Sequence, residues 1–251
     1  VFLFKIGEAF LGRMSIIFYK EIGFSKDEFI DDLKAFTERM HQHGAKVAAQ
    51  LNHSGKIAQE DTVAGRPMLV PSTPKSEPSD MFGLLTQEEI MNFIKAAGPD
   101  GKGPKYKELT KNEIHQEVKN FVEAAKRAKI ANFDAVEIHA GHGYLISSFL
   151  SPAVNKRNDE YGGSTKNRAR LLVEVISEIK KEMANLPIIV RLDANEYRIE
   201  NGITPKDFIL TAIMAQNAGA DAIDVSAYGN TSKGIAFTEA PLVHEPGGFI
   251  K

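Results

Sequence analysis

The chain has 251 residues, 43% of them hydrophobic and 25% charged, with a formal net charge of −2, a length and balance that one soluble α/β barrel uses as a single domain. Near-neutral charge removes the electrostatic case for nucleic acid or an anionic membrane surface as partner, and no run approaches the roughly 18 apolar residues of a membrane span. There is no cysteine, which excludes disulfides, thiolate metal sites and iron–sulfur clusters from this stretch.

The first helix is expected from Ser25, with Glu28 three residues on as a capping box. Phe29, Leu33, Phe36 and Met40 share one face, and the helix stops at Gly44. A strand follows over 46–51. Residues 60–110 are too long for a plain connection and read as an excursion over a barrel mouth, with a Pro- and Ser-rich stretch (RPMLVPSTPKSEPSD) and a short helix signal over 85–90. The hexamer LTQEEI recurs in it as LTKNEI, two capping boxes whose likeness only weakly suggests duplication. The next helix opens at Thr110 with Glu113 and carries Ile114, Val118, Phe121, Val122 and Ala125 on one face. A strand over 135–139 leads to a helix from about Asn167 with Leu171, Val175, Ile176 and Ile179. After a strand over 188–192, Thr204-Pro205 starts a helix that ends at Gly219, and a strand over 222–226 follows.

Helices alternating with short β-branched runs are the mark of repeated βα units on a parallel sheet. Successive strand residues face opposite sides. Val47, Val136, Ile138, Ile188, Val190, Ile223 and Val225 therefore form the face that packs on helices. The other face carries Ala48, Glu137, Ile189 and Asp224, and then Gln50, His139, Arg191 and Ser226 at the strand ends. Four polar ends on one face fit the inner catalytic rim of a (β/α)8 TIM barrel. Each alone is equally a rim residue bonded to a neighbouring loop; as a set they favour a shared site.

The densest stretch is residues 136–170, VEIHAGHGYLISSFLSPAVNKRNDEYGGSTKNRAR. His139 and His142 could be metal ligands, an anion clamp or two ordinary histidines. A metal is disfavoured because no carboxylate accompanies them in the loop, although Glu137 and Asp193 could supply one. Two imidazoles suit donation to a carbonyl oxygen that gains negative charge. Tyr144 is a fitting general acid, or a residue that only packs the loop.

This stretch closely resembles the old yellow enzyme family, in particular the branch of 2,4-dienoyl-CoA reductases and NADH:flavin oxidoreductases. The likeness runs through His139, His142, Gly143-Tyr144-Leu145, Phe149-Leu150-Ser151-Pro152, Asn155, Arg157, Asp159, Tyr161-Gly162-Gly163-Ser164 and Asn167-Arg168. KVAAQLNHSGK and IIVRLDANE resemble the family's strands ending in Gln-Leu-x-His-x-Gly-Arg and in Arg, with Lys56 where arginine is usual and Asn132 where glycine is favoured.

The resemblance implies an FMN-dependent oxidoreductase that takes hydride from NADH or NADPH and reduces an activated C=C bond. It implies that Gln50 and Arg191, expected on neighbouring strands, hold the flavin's polar edge. His139 and His142 would clamp the substrate carbonyl, Tyr144 would supply the proton, and His53 would line the pocket. Arg157, Asp159, Asn167 and Arg168 would brace the long loop. The chain matches about strands two to six of the barrel, so the first, seventh and eighth strands, and any cysteine-bound iron–sulfur cluster, are expected outside it. The partner expected is a small-molecule substrate; nothing in the sequence argues against a homo-oligomer. VFLFKIGEAF lacks a signal peptide's basic start and cleavage site, and a cytoplasmic location is expected. The competing readings are a metal-dependent barrel hydrolase and a non-catalytic barrel fragment.

Overall fold

Apolar residues at helical spacing and β-branched runs sort this chain into the alternating elements expected of it. The computed structural model describes residues 26–74, 87, 91 and 98–229. The chain opens with α1 (Lys26–Gln42) and β1 (Ala48–Leu51), followed by a 3₁₀ turn (Gly55–Ile57) and α2 (Gln59–Val63). Two short strands come next, β2 (Met68–Val70) and β3 (Tyr106–Glu108). The regular alternation then runs through α3 (Lys111–Ile130), β4 (Ala135–Ala140), α4 (Leu145–Leu150), α5 (Thr165–Arg168), α6 (Arg170–Glu182), β5 (Ile188–Tyr197), α7 (Pro205–Ala218) and β6 (Ala222–Gly229).

β1, β4, β5 and β6 form one sheet in that order, every pair parallel. Consecutive parallel strands joined by helices are a sector of a (β/α)8 barrel. Its core lies between the sheet and the helices. Val136, Ile138, Ile188 and Val190 point into it, and Ile114, Phe121, Leu171, Val175, Ile176 and Ile179 meet them from α3 and α6. Two of these helices start where the sequence says. Thr110 and Glu113 cap α3 reciprocally, and Thr204 does the same with Asp207 for α7, satisfying N–H groups that have no partner within a helix. Gly219 ends α7 at φ +115°, a conformation open to glycine.

Several expectations are corrected. Gln50 and Arg191 do not lie on neighbouring strands: β4 runs between them, with Gln50 opposite Glu137 and His139 opposite Arg191. The helix expected from about Asn167 is two, because the chain breaks step at Ala169 between α5 and α6. β5 and β6 run beyond Leu192 and Ser226 to Tyr197 and Gly229, with a register shift between Asp193 and Glu196. Phe36 is 41% exposed; α1 instead turns Thr37 inward, its hydroxyl 2.7 Å from the Ala131 carbonyl oxygen at the end of α3. Val225 is 49% exposed, since among the described residues no helix follows β6 to cover that face. The expected cap at Ser25, the helix signal over 85–90 and the terminal HEPGGFIK fall outside the described residues.

β2 and β3 pair in parallel as a separate ribbon. The ribbon packs beside the 3₁₀ turn and α4, both of which follow C-terminal ends of sheet strands. The residues between its strands form the bulk of the long segment before α3.

Candidate active site at the strand ends

The C-terminal ends of β4, β5 and β6 bring together the side chains that the alternation predicts. His139 is the penultimate residue of β4, only 2% exposed. The chain leaves the strand through Gly141, where an added Cβ would press on the Asp193 carboxylate at 2.8 Å. His142 then takes a left-handed backbone, φ +58°, which L-residues adopt rarely and which turns its ring back over the sheet. The two imidazole centroids are 5.0 Å apart, edge to face, and the Tyr144 ring stands 4.5 Å from His139 in the same manner. The three residues proposed for substrate chemistry thus form one contiguous group. His142 Nε2 also meets the Ser226 hydroxyl from β6.

His53 sits across this loop from β1. Its Nδ1 accepts the Gly55 N–H at 3.0 Å and its carbonyl accepts the Leu145 N–H at 2.9 Å, joining the turn after β1 to the start of α4. Gly55, at φ +56°, has no room for a side chain, since a Cβ would lie 2.8 Å from Leu145 N. That close approach holds the first strand's loop against the histidine loop.

Gln50, Glu137, Arg191 and Asp224 make a polar row across the sheet. Gln50 donates to Glu137, and Arg191 Nε lies 3.5 Å from Asp224 while its terminal nitrogen reaches the Ser226 hydroxyl at 3.4 Å. Burial raises the Glu137 carboxyl above its ordinary range, with Gln50 and Arg191 opposing and Asp224 adding to the rise.

Behind the histidines lies a second polar layer. Asp193 accepts the His142 N–H at 2.6 Å and the Ser147 hydroxyl at 3.4 Å. Glu196 accepts from the Ser151 hydroxyl at 2.6 Å and the Ile203 N–H at 2.7 Å. Desolvation pushes Asp193 up to about 7 and Glu196 upward as well. Lys56 is pulled down by burial, which Glu196 partly offsets, and its ammonium lies 5.8 Å from the centre of the Tyr228 ring. Asp193 and Lys56 stand out in the sequence only as a spare carboxylate and a departure from arginine. The sequence assigns no role to Glu196, Ser147, Ser151 or Tyr228, although Ser151 and Glu196 lie in the segments that carry the family resemblance. A further signal is paired spacing: Ser147 and Ser151 are four apart on one helical face, Asp193 and Glu196 three apart across the register shift.

The loop beyond α4 is braced by the residues assigned to that task, with one exception. Arg157 grips Asp159 through two nitrogens, at 3.1 and 2.6 Å, and reaches the Leu109 and Pro71 carbonyl oxygens at 2.6 and 3.2 Å. Arg168 bonds Leu150 O at 2.8 Å and Asp207 at 2.7 Å. Asn167 contributes through its backbone, its N–H to the Ser164 hydroxyl and its carbonyl to the Ala169 N–H. Asn155 donates to the carbonyls of Phe149 and Tyr161 at 2.7 and 2.8 Å and accepts the Arg157 N–H at 3.1 Å. Among the described residues no group of three His, Asp or Glu side chains has a metal-holding arrangement. No described helix is long and apolar enough to cross a membrane.

The fold and the site define a sector of parallel α/β barrel with paired histidines at its C-terminal rim. The chain belongs to the NADH:flavin oxidoreductase / NADH oxidase family, whose model matches residues 3–233. It is 36% identical over 216 residues to an NADPH dehydrogenase of a Geobacillus species, covering 86% of this chain and 54% of that protein. To an NADPH dehydrogenase of Halalkalibacterium halodurans it is 39% identical over 207 residues, covering 82% and 52%. The chain therefore spans about half the length of the curated relatives it matches. Among solved structures, the old yellow enzyme homologue from Zymomonas mobilis superposes with a TM-score of 0.62 at 28% identity, over 78% of this chain and 52% of that one. A 2-naphthoyl-CoA reductase gives 0.66 at 28% identity, over 85% and 31%.

Proposed function

We propose that the protein containing this chain is an FMN-dependent oxidoreductase that uses NADH or NADPH to reduce an activated C=C bond in a small enone, enoate or enoyl-type substrate. The observation that carries the reading is the contiguous His139–His142–Tyr144 group beside Arg191 at the strand ends. The NADPH dehydrogenase relatives support the reductant class. A cytoplasmic location suits such an enzyme.

The donor set fits a flavin. A guanidinium only 9% exposed and an amide lie on one face of the sheet, flanking β4, and a flavin's pyrimidine edge presents carbonyl oxygens that accept from such groups. Arg191 and Gln50 would hold that edge, the guanidinium placing positive charge where the reduced ring becomes anionic. When bound, FMN supplies two-electron hydride chemistry. His139 and His142 donate to the substrate carbonyl oxygen as it takes on enolate character, which lowers the barrier only if the donors are fixed beforehand. The Tyr144 phenol gives its proton to the α-carbon. His53 closes the pocket from the β1 side. From the segment at about 60–110, the β2–β3 ribbon packs beside the turn after β1 and α4, where it would help to keep water from this chemistry.

The test is stopped-flow kinetics on the full-length flavoprotein. His142→Ala should slow reoxidation by an enone on the order of 100-fold while flavin reduction by NAD(P)H changes far less, because one donor to a developing oxyanion is lost. Equal slowing of both half-reactions, or a stoichiometric bound metal in place of FMN, would overturn the assignment.

A further inference from the structure

The Asp193 carboxylate touches His142 at two places, and the chemistry proposed for His142 does not by itself account for it. Oδ2 accepts the His142 N–H at 2.6 Å, and Oδ1 lies 3.7 Å from His142 Nε2. Asp193 is 2% exposed and its side chain lies against Gly141, where a Cβ would stand 2.8 Å from Oδ1. A carboxylate in that position acts on both the backbone and the ring of one residue. Through the backbone it satisfies the N–H of a left-handed residue, φ +58°, whose conformation L-residues leave unless a partner holds it.

Through the ring it selects a protonation state. Nε2 meets the Ser226 hydroxyl as well as the carboxylate. A negative charge on that side favours a proton on Nε2. A neutral imidazole with its proton there has only an acceptor at the other ring nitrogen, whereas an imidazolium donates from both. An ionised Asp193 therefore favours the form of His142 that keeps its place against Ser226 and still has a proton to donate.

We infer that Asp193 is a positioning residue for His142, holding its left-handed turn and placing a negative charge beside its ring so that the ring keeps a second proton and donates from both nitrogens. The inference rests on the proposed role of His142 as a donor to substrate. Arg191 and Glu196 act on Asp193 from its own strand and Tyr228 from β6, while His139 on β4 faces the His142 ring. Behind these, Tyr144 meets His139, Lys56 acts on Glu196 from the turn after β1, and Asp224 of β6 lies beside Arg191. Burial and the Glu196 charge push Asp193 up to about 7, against the His142 N–H, Ser147 and Arg191. Its titration thus overlaps that of an ordinary imidazole, the condition under which two groups lose protons as a pair.

The experiment follows the His142 ring by ¹⁵N NMR against pH in the full-length flavoprotein, and enone reoxidation over the same range. Wild type should show two coupled steps at His142. Asp193→Asn keeps an oxygen for the His142 N–H and removes the charge; it should leave one step, moved down by roughly one to three pH units, and shift the alkaline limb of enone reoxidation equally. In a His142→Ala background the same substitution should leave that limb in place. A single-step wild-type titration, or an unchanged midpoint in Asp193→Asn, overturns the inference. The NMR readout needs no turnover, so a protein that fails to reduce enones refutes the proposed function and still decides the role of Asp193. Should Asp193→Asn not fold, the two-step wild-type curve decides alone.

Discussion

Replacing Asn155 with alanine removes three hydrogen bonds at one stroke from a site that is 4% exposed. The amide nitrogen serves the Phe149 and Tyr161 carbonyls at 2.7 and 2.8 Å, and the amide oxygen takes the Arg157 N–H at 3.1 Å. Each bond alone contributes about 1 kcal/mol net, but a buried group left without a partner costs about 1–3 kcal/mol. Three stranded backbone groups, relaxing in part or meeting a water, should cost about 3–5 kcal/mol, a large share of the roughly 5–15 kcal/mol that holds a folded domain. Asn155→Asp sharpens the argument: it keeps the acceptor for Arg157 and turns a carboxylate towards two carbonyl oxygens, so it should cost at least as much as alanine. Urea unfolding of the full-length protein, followed by circular dichroism, reads the difference as a lower midpoint at unchanged slope. A loss under about 1 kcal/mol in Asn155→Ala, or an aspartate variant more stable than the alanine one, would refute the reasoning.

Tyr144→Phe keeps the ring that packs 4.5 Å from His139 and removes only the hydroxyl. Enone reduction should fall strongly while reoxidation by oxygen or a quinone persists, and wild-type enone turnover would mean that the proton comes from elsewhere. Asp193 also makes a stability prediction. Its folded value of about 7 exceeds the unfolded 3.8, so the native state binds the proton more tightly. That stabilisation is complete below about pH 4 and is lost as pH rises through 7. Asp193→Asn should therefore gain on the wild type as pH rises through 7, less what the charge contributes to the His142 imidazolium, with no advantage below about pH 4. Parallel melting curves of the two proteins across that range check it.

The parts of this molecule that could be read from sequence are those governed by local rules. The capping box at Thr110, the glycine stop at Gly219 and the alternation that puts His139 and Arg191 on one face each need only a few consecutive residues, and the structure has all three. What could not be read depends on distant chain. Phe36 and Val225 sit at apolar positions of good amphipathic patterns, yet burial needs an opposing element, which periodicity does not supply. The interposition of β4 between Gln50 and Arg191 is a matter of sheet order. The layer of Asp193, Glu196, Ser147 and Ser151 exists because a register shift in β5 meets a helix 46 residues earlier in the chain, as in the Ser147–Asp193 contact.

The ribbon of β2 and β3 is tied at both feet. Leu109 N bonds Val70 O at 3.0 Å, Thr73 N bonds Glu108 at 2.7 Å, and Ser72 takes the Lys156 N–H at 3.0 Å. The Arg157 guanidinium spans the two carbonyls on either side, Pro71 and Leu109. For the histidine loop, what arrives from the long segment is thus a fixed pair of anchor points, whatever chain runs between them. Loop-closure entropy grows only with the logarithm of length, about 0.6 kcal/mol for each doubling. Sequence between the anchors is free to lengthen, shorten or be exchanged wholesale at small thermodynamic cost. The histidine loop keeps the same two points of support whatever sequence joins them, so selection can act on that sequence without disturbing the machinery at the strand ends.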